Sequence, residues 1–165
     1  MGMKTDLNVL LTGTPRIARR DGVVGDLVLF APTTVPIFTV VGGDILVHAL
    51  YAQVITVAGL DIAATTITLS LTTAIGGTVV PIAGAGVNVS GATVEALITI
   101  TGAVAVAPTL FNGAARGVGI PNITNIQIYV PGSIGMIVGG ATNAGLLDWT
   151  IIYTPLDLTS QVIVA

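Results

Sequence analysis

Thr66-Ile67-Thr68-Leu69-Ser70-Leu71-Thr72 alternates hydroxyl and aliphatic side chains at every step. Successive side chains of an extended strand point to opposite sides. Ile67, Leu69 and Leu71 therefore share one face, and Thr66, Thr68, Ser70 and Thr72 share the other. A helix would scatter these residues around its axis, so the stretch predicts a half-buried strand of an antiparallel sheet. The same period recurs. Over 93–101, Val94, Ala96, Ile98 and Ile100 oppose Glu95, Thr99 and Thr101. Over 123–130, Ile126, Ile128 and Val130 oppose Asn125, Gln127 and Tyr129. Residues 45–57 are apolar on both faces and predict a strand covered on both sides, by a neighbouring subunit on one of them. Further strands are expected at 23–30, 36–41, 78–82, 134–138, 146–154 and 161–164.

Glycine and proline separate nearly all of these segments: Gly42-Gly43, Gly59, Gly76-Gly77, Asn112-Gly113, Pro131-Gly132, Gly139-Gly140 and Gly145. No segment shows an amphipathic period of 3.6 over three turns, and no fixed-period repeat is present. About ten short strands joined by turns predict an all-β chain, a jelly-roll-like β-sandwich. Composition agrees. Of 165 residues, 63 are Val, Ile or Thr, whose branched side chains favour strands. Hydrophobic residues make up 53% of the chain, which excludes disorder.

A mean hydropathy of +0.97 raises the question of a membrane. Two stretches, 62–94 and 117–147, carry no charge and are long enough to cross a bilayer as helices. Both are interrupted by glycine and proline, which break helices. Seven aromatics and 13 charged residues supply neither the girdles nor the polar lumen of a membrane barrel. The expectation is no membrane partner. Residues 1–20 hold only a short apolar run, which does not suggest a secretory signal.

Charged residues are 8% of the chain, against about 25% in an ordinary soluble domain. So bare a surface is prone to association, and we expect much of it to be covered by copies of itself or by a partner. The charge is also uneven. Residues 1–20 hold Lys4, Arg16, Arg19 and Arg20 against Asp6, a net of +3. Residues 21–165 hold Arg116 against seven acids, a net of −6. The expected organisation is a basic arm over 1–20 followed by one sandwich domain over 21–165. Three arginines make too small a patch for nucleic acid, and the acidic body would repel phosphate.

Little in the chain suggests catalysis. Cysteine is absent, so no thiolate nucleophile or zinc site can form. The only histidine, His48, lies in the apolar strand 45–57 and reads as a core or interface residue. Gly84-Ala85-Gly86-Val87-Asn88-Val89 lacks the third glycine of a dinucleotide fingerprint, and no Gly-Lys-Thr or Gly-Lys-Ser triplet exists. The serines are scattered and the carboxylates lie singly; Asp148 and Asp157, nine apart, read as turn caps. No cofactor or metal is expected.

The last third is the most distinctive part. It runs Val130-Pro131-Gly132-Ser133-Ile134-Gly135-Met136-Ile137-Val138, a glycine-rich loop, then Leu146-Leu147-Asp148-Trp149-Thr150-Ile151-Ile152-Tyr153-Thr154-Pro155-Leu156-Asp157, and ends Val162-Ile163-Val164-Ala165. Leu147, Trp149, Ile151 and Tyr153 fall on one strand face, the lone tryptophan anchors the core, and Pro155 ends the strand. With Val41-Gly42-Gly43-Asp44-Ile45-Leu46-Val47-His48-Ala49-Leu50-Tyr51, this layout resembles the small β-rich head decoration (cement) proteins of tailed bacteriophages. The resemblance covers 39–58 and 129–165. It implies a jelly-roll-like homotrimer seated on the outer capsid surface of the virion and bound to the major capsid protein. Within that reading, Arg16, Arg19 and Arg20 are the expected capsid-docking contacts, and His48 and Tyr51 the expected subunit interface. The rival readings are a trimeric phage fibre, spike or receptor-binding module, and an enzyme using Asp148 or Asp157.

Overall fold

The computed structural model describes residues 13–24, 34–56, 66–84, 86–89, 91–100, 106–111, 127–139 and 146–165. Every described regular element is a strand. In chain order these are β1 (Arg16–Val24), β2 (Thr34–Val41), β3 (Ile45–Thr56), β4 (Thr66–Thr73), β5 (Val79–Pro81), β6 (Val87–Asn88), β7 (Leu97–Thr99), β8 (Thr109–Phe111), β9 (Gln127–Tyr129), β10 (Gly132–Gly139), β11 (Leu146–Pro155) and β12 (Gln161–Val164). They form two antiparallel six-stranded sheets. The first has the order β1-β11-β3-β7-β8, with β9 also on β3; the second has β12-β2-β10-β4-β5, with β6 also on β4. The chain is an all-β sandwich. It passes from sheet to sheet at each step from β1 to β4 and again from β9 to β12, the wrapping expected of a jelly-roll-like path.

Alternation explains the packing. Ile67, Leu69 and Leu71 of β4 are buried, as are Ile134, Met136 and Val138 of β10 and Phe38 and Val40 of β2. From the first sheet, Leu147, Trp149, Ile151 and Tyr153 meet them, together with Ile45, Val47, Leu50, Ala52, Val54 and Ile98. Burying a large aliphatic or aromatic side chain contributes roughly 1.5–3 kcal/mol, so this one core dominates stability. Trp149 is fully buried at its centre, and its Nε1 has no hydrogen-bond partner among the described residues.

One contact locks two turns at the same end of the sandwich. Gly42, at φ +81°, lies so close to Thr159 that an added Cβ would sit 2.6 Å from its carbonyl carbon. The Thr159 hydroxyl donates to the Gly42 carbonyl at 2.7 Å, and Leu156 N donates to the Asp44 carbonyl at 3.0 Å. The β2–β3 and β11–β12 turns are thereby held together.

Three expectations need correction, and a fourth needs completing. The break after Arg20 is not a structural boundary, because β1 runs through it and pairs with β11 from Arg16↔Tyr153 to Arg20↔Trp149. Residues 16–20 are therefore sheet rather than arm. The strand expected over 93–101 is shorter. Thr93 to Ala96 make a turn, closed by Ala96 N on the Thr93 carbonyl at 3.0 Å with Glu95 at φ +70°, and Val94 is exposed. Over 123–130 the alternation stands where it is described, but the buried side is the one with Tyr129, while Ile128 and Val130 are exposed. The reason is register, since Ile128 stands opposite Leu46 on the outer side of β3. Asp148 is no turn cap but a residue within β11. The expected strand at 23–30 lies largely outside the described residues.

Candidate docking surface

Strand alternation divides the arginines of β1. Ala18 packs against the core, so Arg20 points inward along the edge and Ile17 and Arg19 point outward. Arg20 reaches across to the second sheet, where its Nη1 donates to the carbonyls of Pro36 and Ile37. It closes the gap between the two sheets at this edge. Arg19 donates from Nη2 to Asp148 Oδ2 at 2.6 Å and places Nε 2.6 Å from Asp21 Oδ1. The hydrogen bond to Asp148, then the charge of Asp21, raises the guanidinium above its ordinary value. Asp148 Oδ1 also accepts Gly22 N at 2.8 Å, at the register shift in β1. Arg19 and Arg20 thus hold β1 in place. Arg16 is exposed and has no partner among the described residues. It lines an open cleft of about 330 Å³ with Gly13, Thr14, Pro155, Leu156, Asp157 and Leu158.

His48 and Tyr51 lie on the outer side of the first sheet. Pairing of β3 with β11 skips His48, because Ala49 stands opposite Ile152 and Val47 opposite Tyr153. The histidine bulges out and is exposed, with Nε2 2.7 Å from Thr154 Oγ1. The Thr154 hydroxyl is also within 3.5 Å of the Gly13 carbonyl. Tyr51 is half-buried between Thr150 and Thr99 in the cross-strand row. On the same side Leu46, Ala49, Thr99, Thr150 and Thr154 are already buried within the single chain. Intrachain packing therefore accounts for much of the cover that the apolar character of β3 calls for. Ile17, Ile55 and Ile128 remain exposed there.

The sheets differ sharply in charge. Arg16, Arg19, Arg20 and Asp21 lie in β1, His48 in β3 and Asp148 in β11, all in the first sheet. The six strands of the second sheet contain no Asp, Glu, Lys, Arg or His. Sequence reasoning missed this segregation, because it depends on which strands share a sheet.

Among the described residues no three His, Asp or Glu side chains gather as a metal site would require, and no helix is long and apolar enough to cross a membrane. Asp148 is engaged by Arg19 and Gly22, whereas Asp157 is exposed in the β11–β12 turn. No family model, curated protein or solved structure matches this chain.

Proposed function

We propose that the chain is a structural virion protein rather than an enzyme: a decoration protein that binds the outer surface of a tailed-phage capsid and stabilises the head. The observation that carries this reading is the surface. Thirteen charged side chains on 8540 Å² leave one per about 660 Å², and a surface so poor in charge is suited to being covered. Its proposed partners are the major capsid protein and copies of itself, with the trimer implied by the resemblance. Binding to the assembled shell and not to its dissociated subunits stabilises the shell by mass action, about 2.7 kcal/mol at a hundred times Kd. Arg16 is the proposed capsid contact, through a charge-assisted hydrogen bond to a carboxylate. Arg19 and Arg20 act indirectly, by holding β1 in position.

The test is co-sedimentation of the purified chain with mature heads that lack decoration, at rising salt, followed by the temperature at which the heads release DNA. Binding that raises this temperature supports the reading, with hundreds of copies per head. Deleting 1–20 is a poor probe because it removes the first five residues of β1, so Arg16→Ala is the variant of choice. A chain that stays in the supernatant with every head preparation overturns the proposal. A fibre or receptor-binding module is the second reading, favoured by the open cleft between Arg16 and Asp157. A copy number of a few dozen or fewer per virion would select it.

A further inference from the structure

Asp21-Gly22 is the one place where this sequence puts glycine directly after aspartate; every other aspartate precedes Leu, Ile or Trp. No side chain on glycine shields its backbone nitrogen from the carboxyl group before it, so this dipeptide is the most open of the seven to ring closure. The structure sets it at a bulge. β1 pairs with β11 up to Arg20↔Trp149 and again from Val23↔Leu147, so Asp21 and Gly22 stand together opposite Asp148. Two residues against one are left out of the regular ladder. Gly22 takes φ +66° with open space where a Cβ would be, and the Asp21 side chain is 73% exposed. Side chains replace the missing ladder bonds. Gly22 N donates to Asp148 Oδ1 at 2.8 Å, Arg19 Nε holds Asp21 Oδ1 at 2.6 Å, and Arg19 Nη2 holds Asp148 Oδ2 at 2.6 Å. One arginine and one largely buried carboxylate thus restrain both the nitrogen and the carboxyl that would react.

We propose that Asp21 is a site of spontaneous isomerisation to isoaspartate, held shut in the folded chain by Asp148 and Arg19. When the site opens, Gly22 N attacks Asp21 Cγ. The N–Cγ bond forms, the carboxyl C–OH bond breaks, and the hydroxyl leaves with the amide proton as water, giving a cyclic succinimide. Water then adds to either ring carbonyl. Addition at Cγ restores aspartate, whereas addition at the main-chain carbonyl gives isoaspartate, with Cβ inserted into the backbone. A carboxylate is too weak a base to remove an amide proton, so Asp148 restrains the nitrogen rather than activating it. Reaction must await a local opening that breaks these charge-assisted hydrogen bonds, which slows it by about tenfold or more. The inserted atom falls where β1 already skips a pairing and draws Gly22 N off Asp148, loosening the strand that carries Arg16. The chemistry does not depend on what the chain binds.

The test is incubation of the full chain at neutral pH and body temperature in water enriched in oxygen-18. Each passage through the succinimide leaves a heavy oxygen at residue 21, whichever product forms, and site-resolved mass spectrometry reads it. An endoproteinase that cuts before aspartate and not before isoaspartate reads the isomer. Asn112-Gly113 lies outside the described residues and is followed separately by the same mapping. The folded wild type is expected to label at Asp21 about tenfold more slowly, or slower still, than the chain unfolded in urea. Asp148→Ala is expected to recover most of that factor while folded, and Arg19→Gln, a milder change that frees the Asp21 carboxyl, to recover part of it. Gly42→Ala, destabilised at the distant β2–β3 turn, should label like wild type, which separates local opening from global unfolding. Asp21→Glu, whose longer side chain closes a ring far less readily, should show no label at 21. Folded wild type that labels as fast as the unfolded chain overturns the proposal, as does an Asp148→Ala chain that labels no faster than wild type. Equal acceleration by Gly42→Ala and Asp148→Ala would overturn it as well, since the site would then open only when the whole chain unfolds.

Discussion

Replacing Gly42 by alanine isolates the contact that locks the β2–β3 and β11–β12 turns, because the chain contains its own control. Gly42 and Gly76 both sit at φ +81°. Each substitution therefore carries the same left-handed strain, roughly 1–2 kcal/mol, and the same restriction of the unfolded chain. Their surroundings differ. A Cβ on Gly76 meets only Thr78 Oγ1 at 3.8 Å, whereas one on Gly42 runs into the Thr159 backbone and its Cβ at 3.1 Å. Backbone cannot rotate aside, so the β11–β12 turn must shift and strain the Thr159 hydrogen bond to Gly42. Forcing an extra atom into a packed site costs roughly 1–3 kcal/mol. Gly42→Ala is therefore expected to destabilise by about 2–5 kcal/mol and Gly76→Ala by about 1–2 kcal/mol. Urea unfolding measures both, with the slope unchanged and the midpoint shifted. In thermal unfolding each kcal/mol amounts to about 2–4 °C for a chain of this size. Equal losses for the two variants, within about 0.5 kcal/mol, would refute the claim that the turns are in contact.

Three further outcomes follow from the same geometry. Asp148→Asn keeps an acceptor for Gly22 N but loses the charge facing Arg19, so its unfolding temperature should fall between those of wild type and Asp148→Ala. Burial pushes the Tyr129 phenol well above its ordinary value, so the folded chain holds that proton more tightly than the unfolded chain. The associated stability is complete below about pH 10, the value of an unfolded tyrosine, and is lost as pH rises from there. Tyr129→Phe should flatten this alkaline decline in pH-dependent urea unfolding, while costing about 1 kcal/mol at neutral pH for the 2.5 Å bond to Gln127 Oε1. Trp149→Phe removes a buried N–H that has no acceptor, which offsets part of the lost packing. It should cost well below the roughly 3–5 kcal/mol of Trp149→Ala, as calorimetry can establish.

Much of the fold was legible in local pattern. Alternation over 66–72 marks β4 to within one residue, 161–164 coincides with β12, and Pro155 closes β11. What failed locally was overridden by distant partners. Arg16, Arg19 and Arg20 read as a basic docking arm because strand propensity does not register a cation such as Arg19, whose partner Asp148 lies 129 positions away. Which side of 123–130 is buried was not legible, because alternation fixes that two faces exist and not which one meets the other sheet. Val94 and Glu95 read as strand because a turn made by one left-handed glutamate leaves no mark in hydrophobic pattern. For the candidate surface, His48 and Tyr51 were legible as strand residues, but their common outward side depends on the skipped pairing at His48.

Extended backbone, one side of each strand turned inward and a scarcity of charge all follow from the order of residues alone, since each depends on neighbours one or two positions apart. Which strands lie side by side depends on pairings between residues tens of positions apart. Only the tertiary structure therefore shows that the ionic strands β1 and β11 stand together with β3, while the six described strands of the facing sheet carry no charge.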